Sequence, residues 1–197
     1  MKIKLLFSLI VLAVLPSFAQ EKVATYTNSF WNKSYDVLAT TKNANEIKDV
    51  YVCVNAKSSN VANFSISGKN LDSFVAALKE MKNKYIEWSK VAKDNNVTEM
   101  DKPYEIKFPK VDIQWYGSKW WFAFGVNLKF TFRVTKDGDC LTICSPKVTS
   151  SSNRYIDETI YITFANEDDF DQLIDVLNAE QIISSLKAKD NQQDLFN

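Results

Sequence analysis

Apolar residues alternate with other residues through the middle of the chain, and this pattern restricts the fold more than any other feature. Gly117-Ser118 divides the alternation into two arms, residues 111–116 and 119–134. Glycine at the first position of a two-residue loop favours a type II′ β-hairpin turn. That turn places Trp115 opposite Trp120 and gives both arms one apolar face. The other predicted pairs on this face are Ile113 with Phe122 and Val111 with Phe124.

The second arm keeps its alternation over an unusual length, from Trp120 to Val134. A single strand of that length would extend about 50 Å, well beyond the common range. We therefore expect a bend or β-bulge near Gly125, or a break into two strands. Asp137-Gly138 then favours a second hairpin turn, which would place Val134 opposite Leu141.

Two segments have the three- and four-residue apolar spacing of amphipathic helices. They span about residues 70–93 and 167–187, and Asn70 and Asn166 are suited to cap them. Runs of strands with a helix after each run predict an α+β fold. We expect one domain over residues 20–197, with a mostly antiparallel sheet and both helices packed on its one apolar face.

The strand and helix before the hairpin resemble those at the end of the chain. A shift of 96 residues carries Phe64 to Ile160 and Phe74 to Phe170. This constant offset favours an internal pseudo-repeat, although two strand–helix units can also share such a pattern by chance. The tail, residues 188–197, is mostly polar and is expected to fray.

The N-terminus has the three parts of a secretory signal peptide, residues 1–19. Lys2 and Lys4 provide positive charge, an apolar run follows, and small residues at Ser17 and Ala19 precede the predicted cleavage point. The apolar run is too short to span a bilayer, and no later run is long enough. The signal resembles those of exported bacterial proteins, so we expect a periplasmic or extracellular product with no membrane span after cleavage.

The composition excludes several classes of function. The chain has no histidine, which rules out a Ser-His-Asp triad, a Cys-His dyad and a His-liganded metal site. It has 24 basic and 24 acidic residues, whereas nucleic-acid binding requires a basic face. Neither a glycine-rich phosphate loop nor a nucleophile elbow occurs. We therefore expect no catalytic residue, metal, cofactor or nucleic-acid partner.

The chain has three cysteines, Cys53, Cys140 and Cys144. An odd number leaves at least one thiol without an intramolecular partner. The Asp137-Gly138 register places Cys140 and Cys144 off the apolar face, and Cys53 points away from the valines of its own strand. About 13 Å of strand separates Cys140 from Cys144, so these two cannot pair in an unbroken strand. A disulfide from Cys53 to either of the others, or three free thiols, remain the alternatives.

The open face of the predicted sheet is the candidate binding surface. Its aromatic and hydrogen-bonding side chains suit a sugar, a peptide or another protein. Alternatively, a loop or a terminus covers Trp121, and its ring then has only a packing role. The candidate binding residues on this face are Trp121, Tyr116, Gln114, Lys119, Asp112 and Arg133.

The favoured function is a non-catalytic binding or interaction module of the bacterial cell envelope, with a glycan, peptide or envelope protein as its partner. A carrier of a small apolar or amphipathic ligand would instead need a pocket between helices and sheet. Its lining would include Trp88, Trp115, Phe122 and Phe130. A hydrolase would need two acids that converge in a cleft. The acids available for it are Asp112, Asp157 and Glu158.

Overall fold

The computed structural model describes residues 20–43 and 45–194. They form an α+β fold with a many-stranded antiparallel sheet, which confirms the predicted fold class. The strands are β1 (Glu21–Asn28), β2 (Lys33–Asn43), β3 (Glu46–Ala56), β4 (Ala62–Ser67), β5 (Met100–Pro103), β6 (Val111–Tyr116), β7 (Trp120–Val126), β8 (Thr131–Val134), β9 (Cys140–Cys144), β10 (Lys147–Ser150) and β11 (Asn153–Phe164). The helices are α1 (Leu71–Asp94), α2 (Glu167–Val176) and α3 (Ala179–Asp194).

The main path through the sheet has the order β5-β8-β9-β11-β3-β4-β6-β7. β2 joins β1 to β3, and β10 pairs with the first part of β11. The turn after β10 reaches the last strand of the path: the Ser151 amide donates to the Phe122 carbonyl at 2.8 Å, and the Phe124 amide donates to the Ser151 hydroxyl at 3.3 Å. These two hydrogen bonds connect β7, at one end of the path, to the turn between β10 and β11.

Helices α1 and α2 pack on the same face of this sheet. Phe74 of α1 lies against Phe64 of β4, with ring centroids 5.7 Å apart. Phe170 of α2 stacks on Phe164 of β11 at 4.2 Å. Tyr85 of α1 contacts Phe170 at 5.4 Å and so joins the two helices. The prediction that both amphipathic helices cover one apolar face is confirmed.

The second predicted helix is divided in two. Asn166 caps α2 as predicted, since its side chain accepts a hydrogen bond from the Asp169 amide at 2.9 Å. The helix ends at Val176, and the Asn178 side chain accepts from the Gln181 amide at 3.0 Å to begin α3. Asn70 is the N-cap residue of α1 as predicted, although its side chain makes no capping hydrogen bond there.

Helix α3 continues to Asp194, so the tail predicted to fray is helical over residues 188–194. The predicted signal peptide, residues 1–19, and the last three residues lie outside the described residues. None of the helices within the described ranges is long and apolar enough to cross a membrane.

The structure does not confirm the pseudo-repeat. A strand precedes a helix in both units, β4 before α1 and β11 before α2. The helices differ, however, because α1 has 24 residues and α2 has 10. The shared apolar spacing therefore reflects two helices that pack on one sheet.

The β6–β7 hairpin differs by one residue from the predicted register. Trp115 lies opposite Trp121, and Tyr116 lies opposite Trp120. The turn has three residues, Gly117 to Lys119, and the Gly117 amide donates to the Lys119 carbonyl at 3.0 Å. Because a shift of one residue exchanges the two faces of a strand, the even-numbered aromatic residues of β7 point outward. The two-residue register was wrong.

A β-bulge at Gly125 returns the even-numbered side chains to the core face further along the chain. Val111 pairs with Val126 and Ile113 with Ala123, so β7 has one more residue than β6 in this interval. Gly125 has a φ of +65°, the left-handed region that glycine adopts most easily. The expected bulge and the break into two strands are confirmed, but the uniform alternation from 120 to 134 was wrong. The side chains that face the core after the bulge are Leu128, Phe130, Phe132 and Val134.

The register of the β8–β9 hairpin is also displaced by one residue from the predicted register. Val134 lies opposite Cys140 rather than Leu141. Cys140 and Cys144 are consequently buried on the core face, which corrects their predicted position. Cys53 lies on the opposite face, beside Asn63 of β4, as predicted. All three thiols are free.

Candidate functional site

Four aromatic side chains lie together on the outer face of the β6–β7 hairpin. We call this set the aromatic strip; it consists of Tyr116, Trp120, Phe122 and Phe124. Their exposed fractions lie between 39% and 64%. The rings of Tyr116 and Trp120 meet edge to face with centroids 5.5 Å apart. Those of Phe122 and Phe124 are within 9° of parallel, with centroids 6.1 Å apart.

The area of the aromatic strip is large for a chain of this size. A fully buried aromatic side chain removes about 150–250 Å² from solvent. At the observed exposures, the four rings together present roughly 400 Å². The largest apolar patch on a typical monomer is about 300–600 Å² and is often functional. The strip therefore reaches the size of the apolar patches that are often functional.

A groove of about 150 Å³, lined by both polar and apolar side chains, adjoins Phe122 and Phe124. Strand pairing shows why the groove and the strip share a face. Ser65 of β4 lies opposite both Tyr51 of β3 and Asp112 of β6, and Gln114 lies opposite Phe122. The groove is lined by Asp49, Tyr51, Ser65, Asp112, Ile113, Gln114, Phe122 and Phe124.

The groove has an acidic character. Partial burial raises the pKa of Asp49, and the negative charge of Asp112 adds to this increase, while the Lys48 and Lys42 ammonium groups oppose it. Asp112 also holds the bulge, since its Oδ1 accepts a hydrogen bond from the Gly125 amide at 2.8 Å. The groove therefore offers carboxylate, amide and hydroxyl groups beside a surface of aromatic carbon.

Three of the six predicted site residues lie on this outer face: Tyr116, Gln114 and Asp112. All three precede the hairpin turn. Tyr116 is an exposed member of the strip, whereas Gln114 is about nine-tenths buried and lines the groove. These three residues are therefore on one continuous surface.

The other three predicted residues are not part of this surface. Trp121 is partly buried against the core, and the Lys119 ammonium lies 4.5 Å from the centroid of its ring. Arg133 is in β8, where its Nε donates to Oδ1 of Asp101 at 2.7 Å. Sequence reasoning also missed part of the site. The missed residues are Trp120, Phe122, Phe124 and Asp49.

The residues proposed to line a carrier pocket do not meet in one cavity. Trp115 and Phe130 are buried in the core, whereas Phe122 is on the outer face. Trp88 lines a surface groove of about 550 Å³. There its ring stacks on Tyr104 at 4.9 Å, so this residue has a packing partner rather than an internal pocket.

The acids proposed for a hydrolase are also separated. Asp157 pairs with Lys147 at 2.9 Å. Glu158 is buried and accepts hydrogen bonds from the Ser58 amide at 3.1 Å and the Ser59 hydroxyl at 2.6 Å. Asp112 shares its groove with Asp49 instead. The three acids therefore have separate structural surroundings.

Comparison with known proteins identifies no relative of this chain. No protein-family model matches it. No curated protein and no solved structure matches it either.

Proposed function

We propose that the chain is an exported, non-catalytic binding module of the bacterial cell envelope, and that its ligand lies on the aromatic strip and the adjoining groove. The observation that carries this proposal is the continuous exposure of four aromatic rings. Aromatic side chains provide large contact areas and are enriched where binding energy is concentrated. The groove adds polar groups that orient a ligand.

The backbone under this surface is hydrogen-bonded on both sides of the hairpin. β6 is paired on both sides, with β4 and β7. The outer edge of β7 is bonded to Ser151, and the Asp112 carboxylate holds the backbone of Gly125. A rigid surface loses less conformational entropy on binding than a mobile loop does. This arrangement favours recognition without a conformational change.

Export is supported by the signal-like N-terminus and its relation to the fold. β1 begins at Glu21, so cleavage after Ala19 removes none of the described strands and helices. The test is the intact mass of the chain recovered after secretion from a bacterial host. We expect a product that begins at Gln20. A product that retains residues 1–19 would contradict the proposed signal peptide.

The binding proposal is tested by tryptophan fluorescence of the chain purified after export. The probes are neutral oligosaccharides, a proline-rich peptide and phospholipid vesicles, each titrated separately. Phe124→Ala removes the most exposed ring of the strip, while Trp120 remains as reporter. Phe30→Ala is the matched control, because Phe30 is 45% exposed and lies outside the strip.

We expect one class of probe to produce a saturable shift in emission. Phe124→Ala should weaken that binding about tenfold, as truncation of a strong contact residue does. Phe30→Ala should leave it unchanged. Equal affinity in the wild type and Phe124→Ala, with circular dichroism confirming the fold of both, would contradict the proposed surface. A wild type that binds none of the three classes would contradict the binding function.

A further inference from the structure

We infer that the ligand of the aromatic strip is a neutral oligosaccharide with apolar ring faces, as in β-linked glucose or N-acetylglucosamine units. The inference rests on the proposed function and names its class of ligand. Such a sugar ring has C–H groups on its two faces and hydroxyl groups around its rim. It therefore matches a surface in which aromatic rings adjoin carboxylate and amide groups.

The size of the strip favours a small ligand over a folded partner. A stable protein interface buries about 800 Å² on each partner. The four rings present roughly half of that area, by the usual burial of aromatic side chains. A second copy of this chain would therefore need contacts well outside the strip. A few sugar units in a row would cover it.

The edge of β7 disfavours an extended peptide that adds a strand to the sheet. Strand addition requires free backbone groups along an exposed edge. At the centre of β7, Ser151 already bonds the Phe122 carbonyl at 2.8 Å and the Phe124 amide at 3.3 Å. A peptide main chain therefore finds these groups occupied. The ligand therefore contacts side chains on the face of the hairpin rather than the backbone at its edge.

The groove fits the rim of one sugar unit. Its volume of about 150 Å³ is below the 300–1,000 Å³ or so of sites that enclose a drug-sized ligand. Only part of a ligand can enter it, and the rest must lie on the strip. Asp49, Asp112 and Gln114 line the groove, and their oxygen and nitrogen atoms can bond the hydroxyl groups of that unit.

The charge of the groove selects a neutral ligand. Two carboxylates, Asp49 and Asp112, line it, and none of its lining residues is basic. The Lys48 and Lys42 ammonium groups act on Asp49 from outside this lining. An acidic polysaccharide or a phosphate headgroup would bring like charge into the same space, which penalises binding. Partial burial of Asp49 strengthens this penalty, because charges interact more strongly away from bulk water. Neutral hydroxyl groups meet no such repulsion.

The inference is tested by calorimetric titration of the chain purified after export. The neutral probes are the β-linked hexasaccharides of glucose and of N-acetylglucosamine. The charge control is a hexamer of galacturonic acid. A proline-rich peptide and phospholipid vesicles test the other classes. We expect at least one neutral hexasaccharide to bind, and the acidic hexamer to bind about tenfold more weakly or not at all.

Four variants locate the binding. Trp120→Ala and Phe124→Ala should each weaken the neutral sugar about tenfold, while Phe30→Ala should leave its affinity unchanged. Trp120→Phe keeps an aromatic ring, so it should retain most of the affinity but lose the ligand-induced shift of the Trp120 emission. Circular dichroism and thermal melts confirm the fold of each variant.

Asp49→Asn tests the charge argument separately. This change keeps the shape of the side chain and removes one negative charge from the groove. Because Asp49 can also bond the sugar hydroxyl groups, the readout is the ratio of the affinities for the neutral and the acidic hexamer, and this ratio should fall in the variant. Unchanged discrimination would contradict the role of Asp49 in selection.

The outcomes separate this inference from the proposed function. If only the peptide or the vesicles bind, and Phe124→Ala abolishes that binding, the sugar inference is overturned and the binding function stands. If a neutral sugar binds the wild type and both strip variants equally, the strip is not its site and the inference is overturned. If no probe binds the wild type, the inference and the proposed function both fail.

Discussion

Trp115 and Trp121 lie opposite each other in the β6–β7 ladder. Trp115 is fully buried, and Trp121 packs partly against the same core with the Lys119 ammonium 4.5 Å from its ring centroid. Because neighbouring residues of a strand face opposite ways, this pairing turns Trp120 outward. Of these two neighbours in sequence, Trp121 therefore packs against the core and Trp120 belongs to the aromatic strip.

The first prediction concerns these tryptophans. Trp115→Ala should lower the free energy of unfolding by about 3–5 kcal/mol. Trp121→Ala, which removes a half-buried ring, should lower it by about 2 kcal/mol. Trp120→Ala should lower it by only about 1 kcal/mol, through the loss of the ring contact with Tyr116. Chemical denaturation of the three variants measures these differences. A larger loss for Trp120→Ala than for Trp121→Ala would favour the two-residue turn.

The second prediction concerns Glu158 and acid stability. Burial acts to raise the pKa of Glu158, but hydrogen bonds from the Ser59 hydroxyl and the amides of Thr159 and Ser58 outweigh it, so the pKa is lowered. A carboxyl with a lowered pKa in the folded state stabilises the protein above the pKa of the unfolded state. That stability is lost as the pH falls through the lower, folded-state pKa.

The test compares the wild type with Glu158→Gln over pH 3 to 7. At pH 7, the variant should be less stable by about 1–3 kcal/mol, because the buried hydrogen bonds of a charged group are weakened. The difference should diminish toward the acid end, as the wild-type carboxyl becomes protonated. A difference that does not vary with pH would show that Glu158 contributes through packing alone.

The third prediction concerns the thiols. Burial raises the pKa of Cys144 to about 12 and also raises the pKa of Cys53. Since the thiolate is the reactive form, both should react slowly with a thiol reagent in the folded protein. Cys140 is buried too. We expect slow labelling of the native chain and three reactive thiols after denaturation without reductant. Only one reactive thiol after denaturation would reveal a disulfide.

The fourth prediction concerns the bulge at Gly125. An added Cβ would meet no atom closer than Lys110 Cδ at 3.8 Å, so space is available. The positive φ is unfavourable for alanine, and Gly125→Ala should cost about 1–2 kcal/mol. Gly125→Asn should cost less, because asparagine tolerates this backbone region better. Thermal and chemical unfolding of both variants tests this order, and an alanine variant as stable as the wild type would contradict the role of φ.

The helical segments and the strands on both sides of each turn were predictable, apart from the break between α2 and α3. The facing of the strands after each turn was not. The spacing of Phe74, Leu78 and Tyr85 identifies α1 from local sequence alone. The facing of β7 depends instead on the length of the turn at Gly117. Trp120 and Trp121 are both large and apolar, so composition did not distinguish the two registers. The length of the turn at Asp137-Gly138 was equally ambiguous. The predicted register therefore exchanged the two faces of β9 and placed Cys140 and Cys144 on the wrong one.

The candidate site was predictable to the same extent. Tyr116, Gln114 and Asp112 precede the turn, and their facing was predicted without it. Gly125 carried a signal that could have corrected the predicted facing of β7. A bulge at this glycine reverses the alternation of the strand. If Phe130 and Phe132 face inward, the aromatic residues before the bulge must therefore face outward. Asp49 had no local signal, because it joins Asp112 only through the lateral order of β3, β4 and β6.

The hydrogen bonds from Ser151 to β7 bear on how the protein behaves in crowded solution. Unpaired strand edges recruit strands from other molecules and promote fibrous aggregation. At one end of the sheet path, β5 has only four residues and ends in Pro103, which has no amide hydrogen to donate. At the other end, Ser151 occupies the middle of β7. These two ends therefore resist polymerisation. The protein can expose four aromatic rings because the backbone groups at the middle of the neighbouring strand edge already have hydrogen-bond partners.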